Sequence, residues 1–428
     1  MSKLRRIYLD YAASTPLSAR VARVLANAGK RFPGNPGSMH AEGVEARRVL
    51  ETARKGIATI LHVLPDEIIF TSGTTEANNL AIRGVVNHLH KLLSNSPELD
   101  NSLENRELHI VTSAIEHQAV LSLCKELERE GVLVTYVGVD SKGRVDPREV
   151  HDALTDDTVL VSIMYANNEI GTIQSIREIA KVVRQFRNEA IKKRTLASEI
   201  LFHTDAAQAP GLLPLIVPEL GVDLMSFGAH KFYGPKGVGV LWKRRPVVLK
   251  PIFFGGGQER HLRSGTENVP SILTMAEALA EAEKIRNREV KRLTTLREYF
   301  FNALGGLAAK LGREVIINGS REDRLANNIN ISILGMDGEV VVLELDARGV
   351  AVSTGSACTT DELGPSHVVA ALEVELPRGS STSQFSATRA LGAIRITMGR
   401  STTKSDLKYV LKCLREILEK YRSVTSNL

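Results

Sequence analysis

The sequence predicts an α/β protein built on a mainly parallel sheet that is flanked by helices. Short runs of apolar and β-branched residues recur along the chain, and helical patterns such as residues 119–129 separate most of them. Runs that are apolar almost throughout are typical of strands that helices cover on both faces of a parallel sheet. These runs lie at residues 68–71, 108–112, 132–137, 158–164, 201–204 and 238–242.

Polar segments come directly after four of these runs. They occupy residues 72–76, 116–117, 167–169 and 205–208. Ligands of open α/β sheets bind beyond the carboxyl ends of the strands, so we expect these segments to meet at one edge of the sheet.

The chain is long enough for two domains. Its 428 residues exceed the roughly 250 to 300 at which a single hydrophobic core usually stops growing. We expect a larger domain over residues 19–285 and a smaller α+β domain formed by residues 1–18 together with residues 286–428.

The pattern changes after about residue 285. A charged helical stretch covers residues 289–310, short strands are predicted at 330–333 and 394–398, and a last helix places apolar residues between 407 and 421 on one face. Three polar tracts are predicted to be loops: residues 94–107, 188–199 and 379–388.

Composition and charge exclude several classes of protein. Apolar residues make up 43% of the chain and charged residues 24%, which is typical of a soluble globular protein and excludes disordered and fibrous classes. The net charge is +6, but 55 basic residues are interspersed with 49 acidic ones and form no stripe, so direct nucleic-acid binding is not expected. No apolar run approaches the roughly 20 residues that span a bilayer. Three scattered cysteines do not make a disulfide framework, so we expect a reducing, cytoplasmic location and no metal site.

One lysine is presented in a turn between two apolar segments. Lys231 follows the apolar stretch that contains Leu224 and Met225, and it precedes Gly234 and Pro235. An amine attacks an aldehyde only when it is unprotonated, and partial burial lowers the pKa of a lysine so that this form is populated. Lys231 therefore has the setting of a lysine that forms a Schiff base. An exposed lysine before a Gly-Pro turn is the alternative interpretation.

The first polar segment is suited to a phosphate group. A helix that opens with Gly73-Thr74-Thr75 offers backbone N–H groups, the positive end of the helix dipole and two hydroxyls. The alternative interpretation is simple N-capping by a threonine.

The other polar segments are suited to the ring of a pyridoxal cofactor. Asp205, at a strand end, can pair with a protonated pyridine nitrogen, although capping of the next helix is the alternative. His117 can stack on a flat ring or relay protons, although histidines after strands are more often satisfied structural groups. Asn168 and Gln208 can donate hydrogen bonds to a phenolate oxygen. Each signal is weak alone, and their order along the chain is more specific.

Six short motifs follow one another along the chain. They are YLDYAASTP at 8–16, GNPGS at 34–38, FTSGTTE at 70–76, NNEIG at 167–171, HK at 230–231 and RSGT at 263–266. This set resembles the cysteine desulfurases, a family in the class-V, fold-type-I branch of pyridoxal-phosphate enzymes. The resemblance extends from about residue 7 to residue 420, and it implies a homodimer with the fold-type-I transferase fold.

The resemblance implies a role for each position that faces the cofactor ring. Lys231 would form the Schiff base with pyridoxal 5'-phosphate, and Asp205 would pair with its pyridine nitrogen. His117 would stack on the ring, while Asn168 and Gln208 would lie near the ring hydroxyl.

The resemblance also assigns phosphate-binding and substrate-binding residues. The phosphate would be held by Thr74, Thr75 and His230, joined by Thr266 of the neighbouring subunit. The α-carboxylate of the substrate would be bound by Arg395, whose guanidinium fork matches a carboxylate, with Asn35 and Asn168 near the substrate.

Position 228 departs from the family pattern. The family commonly has a serine there, whose hydroxyl contacts the phosphate, and this chain has Gly228. Losing one hydrogen bond to a charged group weakens cofactor affinity by about 1.5 to 3 kcal/mol. We expect Ser226 or a backbone amide to compensate.

Cys358 lies among small residues at 353–360, which is typical of an accessible thiol and equally of a tightly packed one. The resemblance identifies Cys358 as the nucleophile, because the family's cysteine has a near-identical Ser-Gly-Ser-Ala-Cys-Thr context. It implies conversion of L-cysteine to L-alanine with transfer of sulfur to a persulfide on Cys358. The longer form of this loop resembles the iron–sulfur-cluster and nitrogen-fixation desulfurases.

The resemblance implies protein partners that accept the sulfur. These would be iron–sulfur scaffold proteins or sulfur relay and tRNA-thiolation proteins. Two alternatives stay open: another class-V reaction such as selenocysteine cleavage or transamination, and a scaffold that has lost the cofactor.

Overall fold

The computed structural model describes residues 6–94, 107–355, 365–372 and 382–421. The strands are β1 Ile7–Tyr8, β2 Ile68–Thr71, β3 His109–Ser113, β4 Leu133–Val137, β5 Thr158–Ser162, β6 Leu201–Asp205, β7 Leu224–Gly228, β8 Gly239–Lys243, β9 Val315–Ile317, β10 Asn328–Ile333, β11 Val350–Ala351 and β12 Ala393–Thr397. The α-helices are α1 Ala19–Arg31, α2 Ala41–Leu61, α3 Thr74–Ser94, α4 Gln118–Arg129, α5 Pro147–Ala153, α6 Ile176–Lys193, α7 Val217–Leu220, α8 Val269–Leu311, α9 Gly338–Ala347, α10 His367–Ala370, α11 Thr382–Leu391 and α12 Lys404–Lys420.

Seven strands form the largest sheet, in the order β2-β8-β7-β6-β5-β3-β4. Pairs from β7 through β4 are parallel, whereas β8 runs antiparallel to both of its neighbours. The predicted mainly parallel sheet is therefore confirmed. Strand β7 was recognised in the sequence only as an apolar stretch, because Ser226 and Gly228 interrupt its apolar pattern.

Helices cover both faces of this sheet. Successive residues of one strand belong to different apolar clusters, as Ile110 and Val111 of β3 do, and as Leu224 and Met225 of β7 do. This alternation follows from the two-residue period of a strand. Because both faces of the sheet are buried against helices, apolar residues lie on both faces of its strands.

A three-stranded antiparallel sheet, in the order β12-β10-β9, lies in the later part of the chain. Near it, β1 pairs in parallel with β11, with Ile7 opposite Val350. The segment after β1 also joins β12, because Thr397 donates its backbone N–H to Leu9. The first strand of the chain thus packs beside elements that follow residue 328.

Two of the predicted loops contain helix. Most of residues 188–199 lies in α6 or in the 3-10 turn Leu196–Glu199, because a helix that buries one stripe can be polar on its remaining surface. The second half of the tract 379–388 lies in α11, and residues 373–381 lie outside the described residues, as do 95–106. Within the described ranges, no helix combines the length and the hydropathy that crossing a bilayer requires.

Candidate active site

A cavity of about 440 Å³ lies where the parallel strands end. Most of its lining residues lie at the ends of β2, β3, β5, β6 and β7 or directly after them, as expected for the carboxyl edge of such a sheet, and Ala13 and Ser14 come from the segment after β1. Eight of the residues predicted from the sequence line it together: Thr74, Thr75, His117, Asn168, Asp205, Gln208, His230 and Lys231.

Three predicted residues do not line this cavity, and a fourth lies outside the described residues. Asn35 is exposed, and its side-chain oxygen accepts the N–H of Gly37 at 2.8 Å. Thr266 is also exposed and lines a separate cavity of about 180 Å³. Arg395 is buried outside the lining, and Cys358 lies outside the described residues.

Lys231 ends the 3-10 turn that begins one residue after β7. Its Nζ donates to the carbonyl oxygens of Ala12 at 2.6 Å and Ala13 at 2.9 Å. Two carbonyl acceptors take the place of water around the ammonium group. The turn is fixed from the same side, because Thr15 Oγ1 donates to the carbonyl of His230 at 2.9 Å.

Asp205 ends β6 and is buried at the cavity. Its Oδ2 accepts a hydrogen bond from Nδ2 of Asn78 at 2.6 Å, and its Oδ1 accepts the N–H of Ala207 at 2.8 Å. Asn78 belongs to α3 and is fully buried. These two donors fix the orientation of the carboxylate. Asn78 was not predicted from the sequence, although it lies four residues after Thr74 and so one helical turn further along α3.

His117 is the N-cap residue of α4. Its Nδ1 accepts the backbone N–H of Ala119 at 3.1 Å. In the neutral ring the proton therefore sits on Nε2. His117 can donate a hydrogen bond from Nε2–H while Nδ1 continues to cap α4. To accept a proton at Nε2, the ring would first have to carry its proton on Nδ1, and the cap would then be lost.

Two lysines, Lys231 and Lys236, line the cavity near His230. Burial, together with the nearby charges of Lys231, Lys236 and His117, lowers the pKa of His230 to about 4. His230 is therefore neutral at pH 7, while the neighbouring lysines favour an anion. Lys236 also lines the cavity, and its place in the Gly-Pro-Lys-Gly turn close after Lys231 was the available sequence signal.

Glu116 is a buried acid directly before His117. Its Oε1 accepts hydrogen bonds from Ser113 Oγ at 2.6 Å and from the Met164 N–H at 2.8 Å, while its Oε2 has no partner among the described residues. Burial raises the pKa of Glu116 to about 8, and the nearby charge of Asp205 acts in the same direction. Glu116 is thus protonated at neutral pH, a property that no sequence pattern indicated.

Comparison with known proteins adds independent findings. Residues 7–410 match the family model described as aminotransferase class-V. The chain is 44% identical to a protein of Dictyoglomus turgidum named cysteine desulfurase IscS, over 98% of this chain and 96% of that protein. A solved NifS-like protein superposes with a TM-score of 0.82 at 35% identity, covering 97% of this chain and 99% of that one. A solved structure of SspA in complex with cysteine has a TM-score of 0.69 at 31% identity, covering 91% and 98%.

Proposed function

Because the chain belongs to the aminotransferase class-V family, we propose that it is a cysteine desulfurase that converts L-cysteine to L-alanine. The single observation that carries this proposal is the convergence of Lys231, Asp205 and His117 on one cavity, in a chain 44% identical to a named cysteine desulfurase. The protein SspA, of similar structure, is known in complex with cysteine.

The residues present fit pyridoxal phosphate. The hydroxyl oxygen of Thr74, the first residue of α3, is buried and has no hydrogen-bond partner in the part of the chain that the structure describes. The helix dipole favours an anion at this position. Across the cavity, the oriented carboxylate of Asp205 suits a protonated pyridine nitrogen, and Lys231 offers an amine. When bound, pyridoxal phosphate supplies a ring that withdraws electrons from the α-carbon of an amino acid.

We propose that Thr74, Thr75 and His230 hold the phosphate, and that Asn168 and Gln208 bind near the ring hydroxyl. Gln208 is positioned by its own donor group, because Nε2 donates to the carbonyl of Ala12 at 3.0 Å. His117 presents its ring and its Nε2–H to the same cavity.

Lys231 is the proposed base. Its Nζ takes a proton from the α-carbon of the substrate, and the resulting ammonium is stabilised by the carbonyls of Ala12 and Ala13. These two acceptors hold the amine at one place beside Asp205 and Gln208, so that the proton moves over a short and fixed path.

We propose that Cys358 is the nucleophile. Its thiolate attacks the sulfur of the substrate, an S–S bond forms as the C–S bond breaks, and the carbon that loses sulfur takes up protons to become the methyl group of alanine. Arg395 and Asn35 are the proposed binding residues for the substrate. Sulfur then passes from the Cys358 persulfide to acceptor proteins of iron–sulfur assembly or tRNA thiolation in the cytoplasm. The support for this part of the proposal is the resemblance of the loop around Cys358 to that of the iron–sulfur-cluster and nitrogen-fixation desulfurases.

A division into two domains near residue 285 is supported by the packing of α8. Apolar residues of its first part up to Ala282 pack with the large sheet, and those from Leu293 onward pack with the three-stranded sheet. The pairing of β1 with β11 supports assigning residues 1–18 to the smaller domain.

We propose a homodimer in which Thr266 reaches the phosphate of the partner's cavity. The exposure of Thr266 supports this proposal, as does the exposure of the large apolar side chains of Met39 and Phe254.

The activity is tested by incubating the purified protein with L-cysteine and a thiol reductant, which releases the persulfide sulfur as sulfide, and measuring alanine and sulfide. We expect both products, and we expect Cys358→Ala to abolish sulfide release while keeping the bound cofactor and its covalent attachment to Lys231. Cys124→Ala, at a buried position of α4, is the matched control and should retain activity. Sulfide release by Cys358→Ala at the parent rate would contradict the role of Cys358, and a parent protein that forms no alanine would contradict the desulfurase activity.

A further inference from the structure

Position 228 lies at the end of β7, three residues before Lys231. Gly228 has φ −133° and ψ 142°, an extended conformation that any residue adopts. The backbone therefore does not require a glycine here. The limited space at this position favours a glycine, because a Cβ would lie 2.7 Å from Thr74 Oγ1 and 3.2 Å from the backbone nitrogen of Thr74.

The hydroxyl of Thr74 occupies the space that a side chain at 228 would take. Its oxygen is buried and makes no hydrogen bond among the described residues. Buried hydroxyls are nearly always paired, so an unpaired one beside a cavity indicates a partner that arrives with a ligand. Thr74 also begins a 21-residue helix, whose first N–H groups and dipole select for an anion.

Ser226 does not supply the missing hydroxyl, although the sequence suggested it. The hydroxyl of Ser226 is buried and hydrogen-bonded to Nε2 of His203 at 2.9 Å. The other ring nitrogen of His203 contacts the hydroxyl of Ser162 at 2.8 Å. Ser226 is thus committed to a chain of hydrogen-bonded side chains that runs across the adjacent strands β7, β6 and β5.

We propose that Thr74 and Gly228 act as a pair in which the threonine hydroxyl binds the cofactor phosphate and the glycine provides the room for it. This inference rests on the proposed function and assigns to Gly228 a positioning role. In the family that the sequence resembles, position 228 itself commonly carries the hydroxyl. Here the donor comes from the helix side of the phosphate site, and a side chain at 228 competes with it.

Gly239 shows that not every glycine nearby serves this purpose. It pairs with Gly228 across β7 and β8, and a Cβ on it would lie 2.7 Å from the Cα of Gly73. That clash is with backbone, which cannot rotate away, whereas the clash at 228 is chiefly with one rotatable hydroxyl. Gly239 therefore provides a matched control.

The test measures cofactor affinity by equilibrium titration of cofactor-depleted protein with pyridoxal phosphate, followed by absorbance. Thr74→Ala is expected to weaken binding about 10- to 100-fold, the usual effect of losing a hydrogen bond to a charged group. Gly228→Ser is expected to weaken binding as well, because its side chain displaces the threonine hydroxyl. The double variant T74A/G228S is expected to bind within about threefold of the parent, as in a double-mutant cycle with strong coupling.

Three further variants and one further ligand separate this pairing from general damage. Thr74→Ser keeps the hydroxyl and should bind as the parent does. Gly239→Ala should impair binding whether or not Thr74→Ala is present. Pyridoxal, which lacks the phosphate, should bind all of the position-74 variants equally, and inorganic phosphate should protect the parent protein from thermal unfolding more than Thr74→Ala.

The outcomes are distinct. Parent-like affinity of Thr74→Ala for pyridoxal phosphate overturns the inference, and so does an additive loss in the double variant. An equal loss of affinity for pyridoxal and pyridoxal phosphate also overturns it. A parent protein that binds no pyridoxal phosphate at all refutes the proposed function instead.

Discussion

Asp10 is the counter-ion of Arg395. The Nη2 atom of Arg395 lies 2.9 Å from Oδ1 of Asp10, and Nη1 donates to the carbonyl of Asn168 at 3.2 Å. The arginine side chain is only 2% exposed, and its Nε has no hydrogen-bond partner among the described residues. A buried guanidinium is thus neutralised by the segment after β1 and held against a residue of the cavity, while its Nε–H stays unpaired among the described residues.

We expect Asp10→Asn to lower the free energy of unfolding by about 3 kcal/mol, because it leaves the Arg395 charge buried without compensation. Denaturant unfolding measures this change. Asp346→Asn is the control, since it breaks an ion pair with Arg6 in which both side chains are 57% exposed, and it should cost less than about 1 kcal/mol. Equal losses in the two variants would show that Asp10 is not a buried counter-ion.

Asn78 is expected to position Asp205 for the cofactor ring. Asn78→Ala removes the 2.6 Å hydrogen bond to the carboxylate, and it should weaken binding of pyridoxal phosphate at least about tenfold. The adjacent Asn79 donates to the carbonyl of Thr75 within the same helix, so Asn79→Ala is the matched control. Titration of cofactor-depleted protein distinguishes them, and identical dissociation constants for both variants and the parent would refute the role of Asn78.

Glu116 should make stability depend on pH. Folding raises the pKa of Glu116 to about 8 from an ordinary value of 4.5. The contribution of its protonated form to the free energy of unfolding is therefore complete below pH 4.5 and is lost as the pH rises through 8. Glu116→Gln keeps a neutral side chain at every pH. We expect the variant to gain more than about 1 kcal/mol on the parent between pH 5 and pH 8, measured by denaturant unfolding. Parallel pH profiles of the two proteins would contradict a protonated Glu116.

A buried ion pair anchors a left-handed turn at residues 259–261. Glu259, Arg260 and His261 all have positive φ, at 47°, 58° and 64°, which is costly for residues other than glycine. Both carboxylate oxygens of Glu259 accept hydrogen bonds from Arg54, at 2.9 and 2.7 Å, and the two side chains are almost fully buried.

We expect Glu259→Gln to lower the free energy of unfolding by about 3 to 5 kcal/mol, because Arg54 then lacks its charge partner. Glu45→Gln, which weakens the more exposed Arg48 pair, should change it by less than about 1 kcal/mol. Thermal and denaturant unfolding of both variants test this. A loss below 1 kcal/mol in Glu259→Gln would mean that the turn holds its conformation without the ion pair.

Much of the fold follows from local patterns. The run 68–71 coincides with β2, and the other predicted runs of the large sheet differ from β3, β4, β5, β6 and β8 by at most two residues at either end. Their burial on both faces makes them apolar throughout, which is the pattern that predicts them. The resemblance to cysteine desulfurases is confirmed by the family match and the named relatives.

The remainder depends on contacts between distant segments. Asn78 meets Asp205 across 127 positions of sequence, and Asp10 meets Arg395 across 385. The hydrophobic periodicity of a segment does not predict such contacts, because they are produced by the packing of whole helices and strands. The tract 188–199 was mistaken for a loop for a different reason: the exposed side of α6 needs no apolar residue.

Lys231 is attached to the large sheet, whereas the carbonyls of Ala12 and Ala13 that hold its Nζ follow β1, which pairs with β11 and joins β12. The amine and its two acceptors are therefore carried by separate frameworks. Any relative movement of the two frameworks would therefore change the distances between Nζ of Lys231 and its two carbonyl acceptors.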